Sequence, residues 1–223
     1  MIIGNGLIAS SVLNIDSPKY LFFASGVSDS REKDVLNFKR EKDLVEKSII
    51  DFSDKILIYF STVSVHFSNS DYVKHKIEME NIILNSGINY CIFRLPQILG
   101  KGGNPKNIIN FIKQNILNDV YFNLNTKAER SILDIDDLNK IVKNILESNN
   151  INKVFDIAGI EYKNIIDIVF YIEDALKKKS LFNEFSNEDF ILKTNSNDIE
   201  LCIIELGLRV NNYTKNTIMK YIK

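Results

Sequence analysis

The chain has 223 residues, with 28 Lys and Arg against 29 Asp and Glu and a net charge of −1 at pH 7. Hydrophobic residues make up 45% and charged residues 26%, the balance of a folded globular protein and not of a disordered one. There is no basic excess and no apolar run near the roughly 20 residues of a membrane span, so neither nucleic acid nor a membrane is an expected partner. The N-terminus lacks the charged start and apolar stretch of a signal peptide, and two cysteines, Cys91 and Cys202, make no disulfide framework. A cytoplasmic α/β protein is the expectation.

Met1 to Ile3 is a short apolar run that enters Gly4-Asn5-Gly6, and residues 7–13 read as a helix. Residues 20–24 are a buried strand closed by Ser25-Gly26. Residues 31–52 are a long amphipathic helix, with apolar positions at Val35, Leu36, Leu44, Val45, Ile49 and Phe52 and a solvated Glu/Lys face. A second buried strand, residues 55–60, ends in Ser61-Thr62. A polar loop leads to a cap region at residues 68–71 and a helix over 72–85. Residues 90–95 are a third strand, closed by Pro96. A Gly-rich segment, 100–104, precedes a helix over 107–117. Short strands at 120–124 and 130–133, a helix at 136–147, a strand at 153–157 and a helix at 165–176 follow. The chain is less regular until a final helix after Tyr213. Alternating strands and helices predict a parallel sheet covered on both faces.

Gly4-Asn5-Gly6-Leu7-Ile8-Ala9 fits G-x-G-x-x-G/A between a strand and a helix. The first glycine permits the tight turn, the second lets backbone approach a pyrophosphate, and the small third residue lets helix and strand pack closely. A tight turn without a ligand is the plainer alternative. A full dinucleotide fold places a second strand and an acid for the adenosine ribose about 20 residues on. Here the chain passes only Asn14-Ile-Asp-Ser-Pro18 before its next strand, and Asp16 comes too early for that role. A β-α-β section is missing, and nothing selects between NAD and NADP.

Thr62 ends a parallel strand, on the side where such sheets bind ligands. Tyr72 and Lys76 follow at i and i+4, on one helix face. An ammonium beside a phenol favours the phenolate, and a phenol so tuned exchanges a proton with a carbonyl or hydroxyl. A surface Tyr and Lys on an amphipathic helix is the alternative for the pair alone.

In order, these motifs resemble the extended short-chain dehydrogenase/reductase family, the NAD-dependent epimerase/dehydratase enzymes that act on nucleotide-linked sugars. The resemblance runs over nearly the whole chain. Gly4, Asn5, Gly6, Leu7 and Ile8 resemble the cofactor loop, and Ala24, Ser25 and Gly26 the strand end beside the cofactor ribose. Thr62 matches the catalytic Ser/Thr at its strand end, and Ser61 before it is implied to be a cofactor ligand. Tyr72 and Lys76 match the Tyr-x-x-x-Lys pair, with Lys76 also a cofactor ligand. Arg94, Leu95, Pro96 and on to Gly100 resemble the segment at the nicotinamide end. Asn104 and Pro105 resemble the start of the sugar-nucleotide lobe, and Arg130 a late motif that binds the substrate diphosphate. The resemblance implies a shortened Rossmann-like core over 1–95, with 120–157 partly returning to it. It implies a small C-terminal substrate lobe from 96–119 and 158–223. It also implies a homodimer built on the helices at 31–52 and 72–85, and a place in surface polysaccharide biosynthesis.

Family dehydratases carry Asp and Glu directly after the catalytic Thr. Val63 and Ser64 stand there, which disfavours dehydration. Members that epimerise at two carbons before reduction use a Cys where Ser64 stands. Ser64 and His66, on the loop behind Thr62, are placed to touch substrate. The reading is therefore an NAD(P)-dependent keto-sugar reductase or C4 epimerase of a nucleotide-linked sugar. The alternative is a non-catalytic nucleotide-binding or partner-binding Rossmann protein. Two departures are the missing β-α-β section and the ten residues from Thr62 to Tyr72, a short loop for the family. His66 and His75 have no cluster of acids or thiols at ligand spacing, so no metal site is expected, and His75 reads as a solvent-facing helix residue.

Overall fold

A computed structural model describes residues 1–105, 107–188 and 190–223. The elements are β1 (Ile2–Ile3), α1 (Leu7–Ser11), β2 (Tyr20–Phe23), α2 (Val35–Asp51), β3 (Ile56–Thr62), α3 (Asp71–Leu84) and β4 (Tyr90–Leu95). There follow β5 (Gln97–Leu99), α4 (Ile108–Leu117), β6 (Phe122–Asn125), β7 (Glu129–Asp134), α5 (Ile135–Glu147) and β8 (Lys153–Asp156). The chain closes with β9 (Tyr162–Asn164), α6 (Ile165–Leu176), β10 (Phe182–Phe185), α7 (Asn197–Glu205) and α8 (Tyr213–Tyr221).

Five parallel strands form the main sheet in the order β1-β2-β3-β4-β8. Their near-continuous apolar runs suit a sheet buried on both faces. Alternate residues serve opposite layers. Phe22, Ile58, Phe93 and Phe155 pack under α5 and α7 with Leu138, Ile141 and Cys202. Leu21, Phe23, Leu57 and Ile92 pack under α2 and α3 with Val45, Met79 and Ile83. Phe93 stacks between Phe60 and Phe155, at ring-centroid distances of 6.2 and 5.1 Å.

A complete dinucleotide sheet runs outward from its first strand in both directions, and its ligand lies where the order reverses. Here β1 is an edge. Among the described residues no strand lies beyond it, and the strand order never reverses. The link from α1 to β2 is instead tied down locally. Asp16 binds the Met1 ammonium, and Asn139 of α5 donates to the Ser11 carbonyl at 2.6 Å and to Asn14 at 2.9 Å.

The rest of the chain builds a second layer system. β5, β7 and β9 form a three-stranded sheet, and β6 pairs with β10. Ile109, Ile112, Ile132, Ile168, Ile172 and Ile218 fill their shared core with α4, α6 and α8. Helix α7 joins the main-sheet side, through Ile199, Cys202 and Ile203.

Most helix limits follow from their caps. Ser70 accepts from the Val73 amide and starts α3, and Asn107 does the same for α4 through Asn110. Helix α2 begins at Val35, four residues after the expected start at residue 31. Asp34 caps it, while Asp29 and Glu32 side chains take the amides of Arg31, Lys33 and Asp34 and hold a turn.

Candidate active site

The carboxyl ends of β1, β2, β3 and β4 bring the glycine loop, the turn after β2, Thr62 and Leu95-Pro96 to one end of the sheet. Gly4 has φ +126°, and a Cβ there would lie 2.3 Å from the Ala24 carbonyl oxygen. Only glycine lets the loop fold onto the end of β2. Gly6 caps α1, and a Cβ there would meet nothing within 4 Å. The space above it is open, and Asn5 beside it is exposed. Helix α1 is only five residues long, because Val12 turns into a 3-10 segment at Leu13–Ile15. Leu7 lies against Gly100 and Gly103, and Ile8 packs onto the main core.

Thr62 is the last residue of β3. Its Oγ1 accepts from the Ser64 amide at 3.2 Å and starts a 3-10 turn over Val63–His66. That turn shortens the path to α3. Tyr72, in the first turn of α3, lies near enough to the Thr62 hydroxyl for that hydroxyl to favour its ionised form. The short loop thus brings the two hydroxyls together. Burial pushes the Tyr72 phenol well above its ordinary range, the Glu41 charge adds to this, and the nearby Thr62 hydroxyl opposes it.

Lys76 does not reach the Tyr72 hydroxyl. Its ammonium lies 5.8 Å from the Tyr72 ring centre. It donates to Glu41 Oε1 at 2.8 Å and to Tyr59 Oη at 3.1 Å, and Lys76 is 2% exposed. The Glu41 carboxylate also accepts from Tyr59 Oη at 2.6 Å and from the Val27 amide at 2.6 Å, with His75 Nε2 3.0 Å away. Gly26 closes the top: a Cβ there would sit 2.6 Å from Lys76 Nζ and 2.7 Å from Glu41 Oε1. Burial alone would raise the Glu41 pKa. The Lys76 charge and the bonds from His75, Lys76 and Tyr59 outweigh it and hold the carboxyl well below the usual carboxylate range.

Two sequence readings change here. His75 is buried, stacked on Phe38 at 4.7 Å and set against Glu41, and does not face solvent. The charged face of α2 is not wholly solvated, because Glu41 lies on its buried side with Val45 and Ser48.

A second polar group lies at the ends of β3, β4 and β8. Arg94 grips Glu80 through Nε at 3.0 Å and Nη2 at 2.6 Å, and Glu80 accepts from Ser61 Oγ at 2.5 Å. His66 Nε2 lies 2.7 Å from Asp156 Oδ1 and 3.3 Å from Arg94 Nη1. Ser61 is therefore occupied by Glu80, and His66 anchors the loop behind Thr62 to the end of β8. Glu41, Tyr59, Glu80 and Asp156 were not among the residues picked out by sequence.

Elsewhere, Ser25 is held by Arg40 at its hydroxyl, 3.2 Å, and its carbonyl, 3.0 Å. Asn104 donates to the Ser28 carbonyl at 3.1 Å, joining the Gly-rich segment to the loop after β2. Arg130 lies on β7 opposite Lys163 of β9, and its Nη1 donates to the Glu129 carbonyl at 2.6 Å. Asp134 and Asp136 bind Lys220 and Tyr221 of α8. Two surface hollows of about 480 and 330 Å³ share Arg209, and neither is lined by Thr62, Tyr72 or the glycine loop. Among the described residues no group of three or more His, Cys, Asp and Glu is placed to hold a metal, and no helix is long and apolar enough to cross a membrane.

No protein-family model matches the chain, and no curated protein matches it in sequence. Solved structures match its fold. A dTDP-glucose 4,6-dehydratase from Bacillus anthracis in complex with NAD has a TM-score of 0.72 at 14% identity, over 99% of this chain and 77% of that one. A UDP-glucuronic acid 4-epimerase from Bacillus cereus in complex with NAD gives 0.71 at 20% identity, over 95% and 75%. RMD from Pseudomonas aeruginosa complexed with NADPH gives 0.70 at 11% identity, over 97% and 85%. At these identities the likeness is one of fold. The architecture is Rossmann-like, a parallel sheet flanked by helices, as in these solved enzymes.

Proposed function

We propose that the chain is an NAD(P)-dependent reductase or epimerase of a nucleotide-linked sugar, serving surface polysaccharide synthesis. The observation that carries this is the placement of Thr62 at the end of β3 and Tyr72 in the first turn of α3, close enough to interact, at the sheet end that also holds the glycine loop. Tyr72 moves the proton at the sugar oxygen, and Thr62 orients that oxygen by a hydrogen bond. Arg130 takes the substrate diphosphate, with Asn104, Ser64 and His66 around the sugar. Solved proteins of this fold include a dehydratase, so fold alone does not choose among reactions. Val63 and Ser64, which offer no carboxyl after Thr62, favour reduction or epimerisation.

The residues fit a nicotinamide cofactor on one side. Gly6 leaves backbone room at the pyrophosphate, Gly4 folds the loop onto the Ala24–Gly26 turn, and Leu95 and Pro96 would close the nicotinamide end. When bound, such a cofactor exchanges hydride with a sugar carbon. On the adenosine side β1 is the edge of the sheet among the described residues. That edge and the enclosed Lys76 favour the second reading, a non-catalytic nucleotide-binding or partner-binding protein of the same fold.

Gly6→Val separates the two. At φ −83° a side chain here meets no protein atom within 4 Å, so the fold should survive. It would fill the approach to the pyrophosphate, and calorimetry should find NAD(P) binding abolished. Equal affinity in parent and variant, or no binding by the parent, would favour the second reading.

We further propose that the protein is a twofold homodimer through α2 and α3, which pack side by side and leave Ile50, Ile77 and Leu84 exposed at 77%, 39% and 40%. Light scattering at micromolar concentration should give twice the 25.7 kDa chain mass. A species of chain mass alone would refute the dimer.

A further inference from the structure

We propose that Lys76 is a positioning residue and not a cofactor ligand: with Glu41 and Tyr59 it forms a buried clasp that pins the Gly26–Val27 turn beside the glycine loop. The proposal deepens the reading above and rests on that loop taking NAD(P).

The ammonium is walled in. It donates to Glu41 Oε1 at 2.8 Å and to Tyr59 Oη at 3.1 Å. The ring centres of Tyr59 and Tyr72 lie 5.2 and 5.8 Å from it. A Cβ on Gly26 would stand 2.6 Å from the nitrogen, so the turn passes directly over it, and only glycine lets the turn close there. An ammonium has three donors, and here Glu41 and Tyr59 take two of them. An outward swing would give up both bonds and strip a fully buried carboxylate of its lysine. A ribose hydroxyl arriving at the turn meets the Gly26 backbone and not the ammonium.

The clasp acts on the turn through α2. Glu41 Oε2 accepts from the Val27 amide at 2.6 Å. Arg40, the residue before Glu41, donates to the Ser25 carbonyl at 3.0 Å. Successive residues of α2 thus hold successive parts of the same turn. The turn in turn carries the glycine loop: the Ala24 amide donates to the Ile3 carbonyl at 2.8 Å, and Gly4 lies against the Ala24 carbonyl. A carboxylate can stand in this buried place because an ammonium is paired with it. Lys76 therefore acts on a cofactor through Glu41 and the turn, without touching it.

Two double variants separate the ammonium from the clasp. Glu41→Gln with Lys76→Met removes both charges and keeps an oxygen for the Val27 amide. Glu41→Ala with Lys76→Met removes the charges and the oxygen. Calorimetry with NAD, NADP, NADH and NADPH should give the Gln variant an affinity within about threefold of the parent, and the Ala variant one at least about tenfold weaker. Amide hydrogen exchange, followed by NMR, should be as slow at Val27 in the Gln variant as in the parent. In the Ala variant it should be at least about tenfold faster there, with the amides of Leu57 and Ile58 in β3 unchanged. An affinity loss of about tenfold or more in the Gln variant, with Val27 still protected, would put the ammonium on the cofactor and overturn the proposal. Equal exchange at Val27 in the two variants, or equal affinity, would overturn it as well. Should either variant not fold, Gly26→Ala keeps both charges and pushes the turn off them. It should speed exchange at Val27 and weaken cofactor binding, and parent-like values in both would overturn the proposal. A parent that binds none of the four cofactors would overturn the cofactor reading, and exchange at Val27 would still decide the clasp.

Discussion

Tyr72→Phe should lower turnover by about 10²–10⁴-fold, the usual contribution of a positioned general acid or base. The substitution removes one oxygen. The ring stays at the start of α3, so packing should hardly change. Affinity for cofactor and sugar nucleotide should remain near the parent values. A fall confined to kcat would match a group that acts in the transition state. Thr62→Val should cost less in rate, since it removes one hydrogen bond. It also removes the cap that Oγ1 gives the Ser64 amide, so its stability should be measured beside its rate. Full turnover in Tyr72→Phe would remove the phenol from the mechanism.

Glu41→Ala should destabilise the fold by about 3–5 kcal/mol, the cost of breaking a buried ion pair by removing one partner. Lys76 would keep a buried ammonium without a counter-charge, and the Val27 amide would lose its acceptor. Against a typical total of about 5–15 kcal/mol, such a loss leaves much of the protein unfolded under mild denaturant. Urea titration would read it. Adding Lys76→Met to Glu41→Ala should recover most of the loss, because the pair and not the packing carries it. No recovery would place the effect elsewhere. The same carboxylate predicts a pH dependence. Its folded pKa lies below the unfolded value of about 4.3, so its contribution is full above that pH. It is lost as pH falls from there toward the folded pKa. The Gln variant, which has no carboxyl to titrate, should lack this part of the acid transition.

The sheet could be read from sequence because its strands are buried on both faces. Runs such as Ile56–Phe60 and Cys91–Phe93 are apolar throughout, and polar breaks bound them. The helices with a strong apolar stripe were legible for the same reason, α5 and α6 among them. Strands β5 and β9 were not, since three residues carry no periodicity, and both are set by pairing to β7. Strand β10 is mostly exposed and is defined by its pairing with β6. Helix α7 follows a stretch of Asn, Asp and Ser that reads as loop, and Ile199, Cys202 and Ile203 order it by packing onto the main core.

In the site, the glycine loop and the Tyr72–Lys76 spacing are local patterns, legible without a fold. Glu41 is not local. It stands among Lys39, Arg40, Lys42 and Asp43, where one more charge draws no attention. A signal was present all the same: Glu41, Val45 and Ser48 recur at helical spacing on the buried side of α2. A charge on an apolar stripe asks for a buried partner. The partner itself, Lys76 some 35 positions away, is set by how α2 and α3 pack on β3. The sequence pairing of Tyr72 with Lys76 therefore held as a spacing, while the tertiary contact turned the ammonium toward Glu41.

The proposed function requires that this sheet end exchange hydride with a nucleotide-linked sugar. Single-turnover mixtures test it, with protein in excess over NAD, NADP, NADH or NADPH and each of a panel of UDP- and dTDP-linked sugars. The absorbance of the reduced nicotinamide is followed in the parent and in Tyr72→Phe. At least one sugar nucleotide should produce or consume reduced cofactor with the parent, and the rate should fall by about 10²-fold or more in the variant. Silence across the panel in both directions, from a protein shown to be folded, would contradict it and leave the non-catalytic reading.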